Sequence, residues 1–145
     1  MTRSSLPWLE LVHAHATLRI DDDRLTRLIL ALLEDENRTC ESLGVILADR
    51  QTVLELNQTY LQHDYPTDVL SFLLEPDDGV SPLQGEIYVD LDTALERHEE
   101  FSASFEDEAL RYVIHGLLHL LGYEDDSQDA RQRMHEIENR YLGRP

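Results

Sequence analysis

Lysine is missing from this chain altogether: all twelve basic residues are arginine, set against thirty aspartates and glutamates, for a formal net charge of -18. Such an excess of one sign repels itself in dilute buffer. It suits a salt-rich cytosol, where counter-ions screen charge to a Debye length of about 3 Å at 1 M salt. A GC-rich genome with an arginine bias is the alternative source of the same composition. Either way, the composition offers no basic patch for nucleic acid and argues against one. Cysteine is nearly absent too. Cys40 stands alone, which excludes an intrachain disulfide and leaves a thiolate zinc site without partners. No apolar run approaches the roughly 20 residues that span a bilayer, so no membrane association is expected. The N-terminus has neither the basic stretch nor the apolar core of a secretory signal. No glycine-, serine- or proline-rich stretch, repeat or low-complexity segment divides the 145 residues. The expectation is one soluble cytosolic domain over residues 1–145, since the length supports one core and is too short for two comfortable ones.

The apolar pattern divides the chain into strands and helices. Leu9 to Ala16 alternates and reads as a strand. Asp21, Asp22 and Asp23 open a helix with an apolar stripe of Leu25, Leu28, Ile29, Leu32 and Leu33. Leu43 to Ala48 reads as a buried strand, followed by a helix through Val53, Leu54 and Leu56 to Tyr60. Pro66 forces an extended entry to a strand over Asp68 to Leu74. After the turn residues Asp77, Asp78 and Gly79, a further strand covers Gly85 to Asp90, as its antiparallel neighbour. Asp92 to Glu100 reads as helical, a capped helix begins near Ser104, and a last helix starts at Asp126 or Ser127, burying Ala130, Met134, Ile137 and Tyr141. The order predicts an α/β (α+β) domain with a small mixed four-stranded sheet packed by about five helices.

One run carries chemistry. In HGLLHLLGYED, His115 and His119 lie four residues apart, just over one helical turn, so both rings leave the same helix face. At about 100° per residue, Glu108, Tyr112, His115 and His119 cluster on one side, roughly opposite Leu110, Val113, Leu117, Leu120 and Leu121. Gly122 ends the helix, and the chain can then return a carboxylate to the pair: Asp125, with Glu124 and Asp126 as neighbouring alternatives. Two imidazoles and a carboxylate suit zinc and leave a fourth position open, as in catalytic sites. Such an ion lowers the pKa of a water and polarises the bond under attack. A carboxylate as third ligand weakens the Lewis acid and admits harder divalent ions such as manganese. Glu108, two turns before the pair, is placed to accept a hydrogen bond from a ligand's second ring nitrogen. A protease of the HExxH type is set aside, because the position of its catalytic Glu is Gly116.

These residues resemble the YbeY family of bacterial metal-dependent endoribonucleases, whose signature is HGxLHLxGyDH. The likeness continues in Leu56-Asn57 with Tyr60, in Asp64, in Pro66-Thr67-Asp68-Val69-Leu70-Ser71-Phe72 (the family's PTDVLSF block), in Gly85-Glu86-Ile87, at Glu108, and in Met134 with Glu138. The resemblance implies a single α/β domain and one zinc ion on His115, His119 and Asp125. It implies single-strand-directed endoribonuclease activity in maturing the 3′ end of small-subunit ribosomal RNA and in ribosome quality control. Ribosomal RNA and the ribosome or its proteins are the implied partners, with no DNA, in a bacterial cytoplasm. Two positions depart from the family pattern. Asp125 replaces the third histidine, and Leu61 replaces an arginine placed to hold phosphate or stabilise its developing charge, which leucine cannot do. His63 is a candidate substitute cation, and Arg111, one turn before His115, a candidate RNA phosphate contact. Ser71 reads as structural.

Three other functions compete. A ribosome-assembly factor with a mainly structural metal is favoured by Leu61 and the acidic composition. A metalloprotease-like hydrolase needs a base from elsewhere. A non-haem iron oxygenase shares two histidines and a carboxylate, but such enzymes place the carboxylate beside the first histidine, and no HxD or HxE occurs at this motif.

Overall fold

Alternating apolar residues build one mixed sheet in the computed structural model, which describes residues 6–61 and 68–144. Its strands are β1 (Leu9–His13), β2 (Cys40–Ala48), β3 (Val69–Leu73) and β4 (Leu83–Asp90), in the order β1-β2-β4-β3. β1, β2 and β4 run parallel, while the edge strand β3 pairs antiparallel to β4, with Leu73 opposite Gly85. Five α-helices are described: α1 (Asp22–Asp35), α2 (Arg50–Leu61), α3 (Leu91–Arg97), α4 (Phe105–Leu120) and α5 (Gln128–Leu142).

Period two decides which face of the sheet is greasy. Leu43, Val45 and Leu47 of β2, with Leu83, Ile87 and Val89 of β4, are buried on the face covered by α1 and α4. α1 contributes Leu25, Ile29, Leu32 and Leu33, a stripe at helical spacing. The other face carries a smaller cluster under α2: Ala48, Val53 and Leu70, with Phe72 and Tyr88 half-buried beside them.

α4 is the structural axis. Ser104 caps it by accepting from the Asp107 N–H at 3.0 Å. Arg24 of α1 ties its first turn down through Glu106 (2.8 Å) and Asp107 (2.6 Å). The helix is buried on most of its circumference, so the polar face expected from Glu108 and Tyr112 does not point at solvent. Both are buried, because α5 and the end of α3 enclose that side. Gly116 allows the close approach to the sheet. A Cβ there would meet Ile87 Cγ2 at 2.8 Å, with Ser71 Oγ and Val69 Cγ2 at 3.0 Å. A glutamate could not fit, which removes the HExxH base on steric grounds as well.

Several element ends and one buried stripe differ from the sequence expectation, and β2 starts at Cys40 instead of Leu43. β1 stops at His13 instead of Ala16, because the His15 ring accepts from the N–H groups of Thr17 and Leu18 and bonds Asp92 through its other nitrogen, turning the chain. The helix expected over Asp92 to Glu100 ends at Arg97, and a 3-10 turn (Glu99–Phe101) follows, closed by Ser102 at φ 55°. On α5 the buried set is Met134, Ile137, Glu138 and Leu142; Ala130 and Tyr141 are half-buried. Ser127 is the α5 cap, accepting from Ala130 N–H.

Candidate metal centre

His115 and His119 leave adjacent turns of α4, their rings edge to face with centroids 4.6 Å apart. The helix then ends at Gly122, whose φ of 100° suits glycine. Gly122 N–H bonds the His119 carbonyl and Tyr123 N–H bonds the Leu118 carbonyl, the paired bonds of a Schellman turn. The turn is anchored to α1, since the Tyr123 hydroxyl donates to the Glu36 carboxylate. Arg131 of α5 holds the Asp125 carbonyl at 3.2 Å. The chain therefore returns Asp125, not Glu124 or Asp126, to the histidine pair, and these three form the one such cluster among the described residues.

Three donor atoms face one point. His115 Nε2 lies 3.1 Å from His119 Nε2, and Asp125 Oδ2 lies 3.4 Å and 3.3 Å from those two nitrogens. Tautomers follow from the outer nitrogens. His115 Nδ1 donates to Glu138 Oε2 at 2.8 Å, and His119 Nδ1 donates to the Tyr123 carbonyl at 3.1 Å. In the neutral rings both Nε2 atoms then present lone pairs toward one another, a pair that a shared proton or a metal ion satisfies. Tetrahedral bonds of 2.0–2.1 Å give ligand–ligand edges of about 3.3–3.4 Å. The observed triangle fits a zinc-sized ion, and the Asp125 side chain is 45 % exposed.

The partner of His115 is Glu138, 4 % exposed on α5, rather than Glu108. Glu138 sits four residues after Met134 on the buried stripe. An acid in an apolar stripe was the available signal for its role. Its other oxygen takes Arg111 at 3.0 Å, and Arg111 also donates to Asn139 at 2.7 Å. Arg111 is thus committed to α5. Burial pulls the His115 pKa down, but the Glu138 carboxylate, helped by Asp68 and Asp125, outweighs it, and the net direction is up. Binding of an ion here would therefore displace a proton and weaken as pH falls through that raised value.

A cavity of about 500 Å³ opens beside His115, between α4, α5 and the end of α3. Its walls carry Arg97, Arg111 and Arg144 against Asp68, Glu108 and Glu138. Three cations face three carboxylates here, in a chain with twelve and thirty. Composition gave no hint of this local balance. Burial pushes the Asp68 carboxyl up, with His115 pulling it back. His63 lies outside the described residues, as do Asp64, Pro66 and Thr67. Ser71 donates its hydroxyl to the Gly116 carbonyl at 2.8 Å, so it is a strut. Ser71→Ala is expected to cost about 1 kcal/mol in a denaturant melt and to leave the chemistry of the site intact. A folded Ser71→Ala protein without activity would overturn that.

The profile of the family described as Endoribonuclease YbeY matches residues 12–144. This chain belongs to that family. A Salinibacter ruber protein named Endoribonuclease YbeY is 47 % identical over 140 residues, covering 92 % of this chain and 89 % of its own. A Thermotoga petrophila protein of the same name is 40 % identical over 122 residues, covering 77 % and 79 %. A solution structure from Thermotoga maritima has a TM-score of 0.61 at 31 % identity, covering 93 % of the YbeY-family chain and 89 % of its own. The fold expectation, a mixed four-stranded sheet with five helices, agrees with this likeness.

Proposed function

We propose that this YbeY-family chain is a zinc-dependent endoribonuclease directed at single-stranded RNA. In this reading it acts in 3′-end maturation of small-subunit ribosomal RNA and in ribosome quality control, in a bacterial cytoplasm, with the ribosome or its proteins as partners. The observation that carries the enzymatic part is the 3.1–3.4 Å triangle of His115, His119 and Asp125 donor atoms. Family membership supports RNA as the substrate; the ribosomal roles rest on the family resemblance alone.

His115, His119 and Asp125 hold the ion, and Glu138 and the Tyr123 carbonyl fix the tautomers that make this possible. Zinc at such a site supplies Lewis acidity and lowers the pKa of a water; the oxygen ligand leaves other divalent metals admissible. The charge-balanced cavity gives an RNA strand one place to approach an otherwise repellent surface. With Leu61 in place of arginine and Arg111 tied to α5, His63 is the candidate cation for the phosphate. The same tie on Arg111 favours the second reading, an assembly factor whose metal is mainly structural.

Single-stranded RNA, duplex RNA and a chelator-treated control, incubated with protein purified in high salt, separate the two readings. Cleavage of the single strand alone, lost on chelation, is the expected result. Metal-loaded protein that cuts nothing would favour the assembly factor. The acidic composition is also read as a salt adaptation. A melt followed by circular dichroism is expected to show greater stability above about 0.1 M salt, and a maximum below it would end that reading.

A further inference from the structure

The three arginines on the walls of the cavity beside His115 are not alike. Arg111 is spent inside the protein, donating to Glu138 at 3.0 Å and to Asn139 at 2.7 Å. Arg144 donates to the carbonyls of Phe101 and Ser102 at 3.2–3.5 Å, partners that carry no net charge. Arg97 makes no hydrogen bond among the described residues. Its Nε stands 3.7 Å from the Glu100 carboxylate, and its guanidinium lies 5.1 Å from the centroid of the Phe101 ring. Both members of that ion pair are open to solvent, 44 % and 61 % exposed, and such a pair holds weakly.

The carboxylates of the cavity do not absorb these two charges. Glu138 is shared between His115 and Arg111, Glu108 faces the Tyr112 hydroxyl, and burial pushes the Asp68 carboxyl up, toward its neutral form. Arg97 and Arg144 therefore leave one wall positive without a buried counter-ion. That wall is fixed in advance. The His98 ring bonds the Ala103 carbonyl at 2.9 Å, Ser102 closes the turn at φ 55°, and the Phe101 ring supports Arg97 while leaving its N–H edge free. The space of about 500 Å³ lies within the roughly 300–1,000 Å³ of small-ligand pockets. It meets His115 on the Nδ1 side, with Glu138, whereas the donor triangle lies at Nε2, and neither His119 nor Asp125 lines it.

We propose that this wall is a phosphate subsite for an RNA strand, holding a phosphodiester next to the one at the metal centre, with Arg97 as its contact and Arg144 as a flanking charge. The guanidinium of Arg97 presents two parallel N–H groups, a fork that matches two phosphate oxygens, and the exposed Glu100 gives way to the stronger partner. Arg97 is a positioning residue here. It fixes where the strand lies and reads no base, as backbone contacts do. The subsite is separate from the part proposed for His63, which concerns the phosphate under attack. It gives a chain of net charge -18 a local hold on a polyanion. This deepens the ribonuclease reading and rests on it.

The test titrates zinc-loaded protein with a fluorescent 2′-O-methyl RNA strand, shown by gel to stay uncut, over a range of salt. Arg97→Gln is expected to weaken binding about 10–100-fold, the worth of a hydrogen bond to a charged group. It is also expected to flatten the slope of log affinity against log salt by about 0.7, the share of one phosphate on a single strand. Arg97→Lys keeps the slope and recovers part of the affinity, because the charge stays and the fork goes. Arg27→Gln removes an exposed arginine on α1 and controls for net charge; a loss equal to that of Arg97→Gln would overturn the subsite. Glu100→Gln removes the competing carboxylate and is expected to tighten binding. It carries the test should Arg97→Gln fail to fold by circular dichroism, and unchanged affinity there would then overturn the subsite. Wild-type affinity and slope in folded Arg97→Gln, beside a wild type that cuts unmodified RNA, would overturn the subsite and leave the nuclease reading standing. Binding through Arg97 by a protein that cuts no strand would sustain the subsite and overturn the nuclease reading. Inorganic phosphate held through Arg97, with strand binding indifferent to the substitution, would overturn the assignment to RNA.

Discussion

Glu138→Gln is expected to lower zinc affinity by about 10–100-fold, the usual effect of losing a ligand's outer hydrogen-bond partner. The reason lies in one carboxylate with two tasks. Its Oε2 takes the Nδ1 proton of His115, which turns the Nε2 lone pair toward His119 and Asp125, and its Oε1 takes Arg111. A glutamine has one oxygen for two donors. Where that oxygen goes to Arg111, the amide nitrogen faces His115, the tautomer reverses, and the Nε2 position carries a proton instead of a lone pair. Glu138→Ala does more, because it leaves the Arg111 guanidinium, only 16 % exposed, without its ion partner. Breaking such a pair costs about 3 kcal/mol or more, so this variant loses stability as well as metal. Competition against a chromophoric chelator measures the first effect and a denaturant melt the second. Unchanged zinc affinity in a folded Glu138→Gln protein would show that His115 is oriented by something else.

Gly116→Ala is expected to destabilise by about 1–3 kcal/mol, as overpacking of a finished core does, and to lower Tm by several degrees at this chain length. The new Cβ would collide with Ile87 Cγ2 at 2.8 Å and crowd Val69 and Ser71. Ile87 belongs to β4 and Val69 to the edge strand, so relief comes from sliding α4 outward. That shift would break the Ser71 bond to the Gly116 carbonyl and carry His115, the preceding residue, away from Asp125. Weaker metal binding should therefore accompany the loss of stability. A Gly116→Ala protein with wild-type Tm and wild-type metal affinity would mean that α4 has slack at this contact.

The candidate metal cluster was legible in the sequence because its logic is local. Four-residue spacing, a glycine stop and a returning carboxylate all lie within eleven residues, and the turn formed as helix-ending chemistry demands. The sheet was legible for a similar reason: the short apolar run Leu43 to Ala48 and the strand pattern of Gly85 to Asp90 are local signals that survive any tertiary arrangement. What spacing could not give was the partner across space. Glu108 was the sequence choice for orienting a histidine because it shares the helix face, yet Glu138 holds the bond, from a helix that packs on α4 only in the folded chain. Arg111 was offered to RNA phosphate for its position before His115, and the same packing ties it to α5. The gathering of Arg97, Arg111 and Arg144 around one cavity was likewise invisible, since composition averages over the surface. His15 shows the opposite failure, in which a strand-like alternation is cut short by a side chain that bonds its own backbone.

The most direct measurement is zinc affinity and RNA cleavage, side by side, for the wild type, Asp125→Ala and Asp125→His. The account predicts one zinc per chain in the wild type, with Asp125→Ala losing both metal and cleavage. Asp125→His, which supplies a third imidazole in the position the family signature gives it, is predicted to retain both. An Asp125→Ala protein that binds zinc and cuts RNA as the wild type does would contradict the central claim, that the carboxylate returned by the Gly122 turn completes the metal centre.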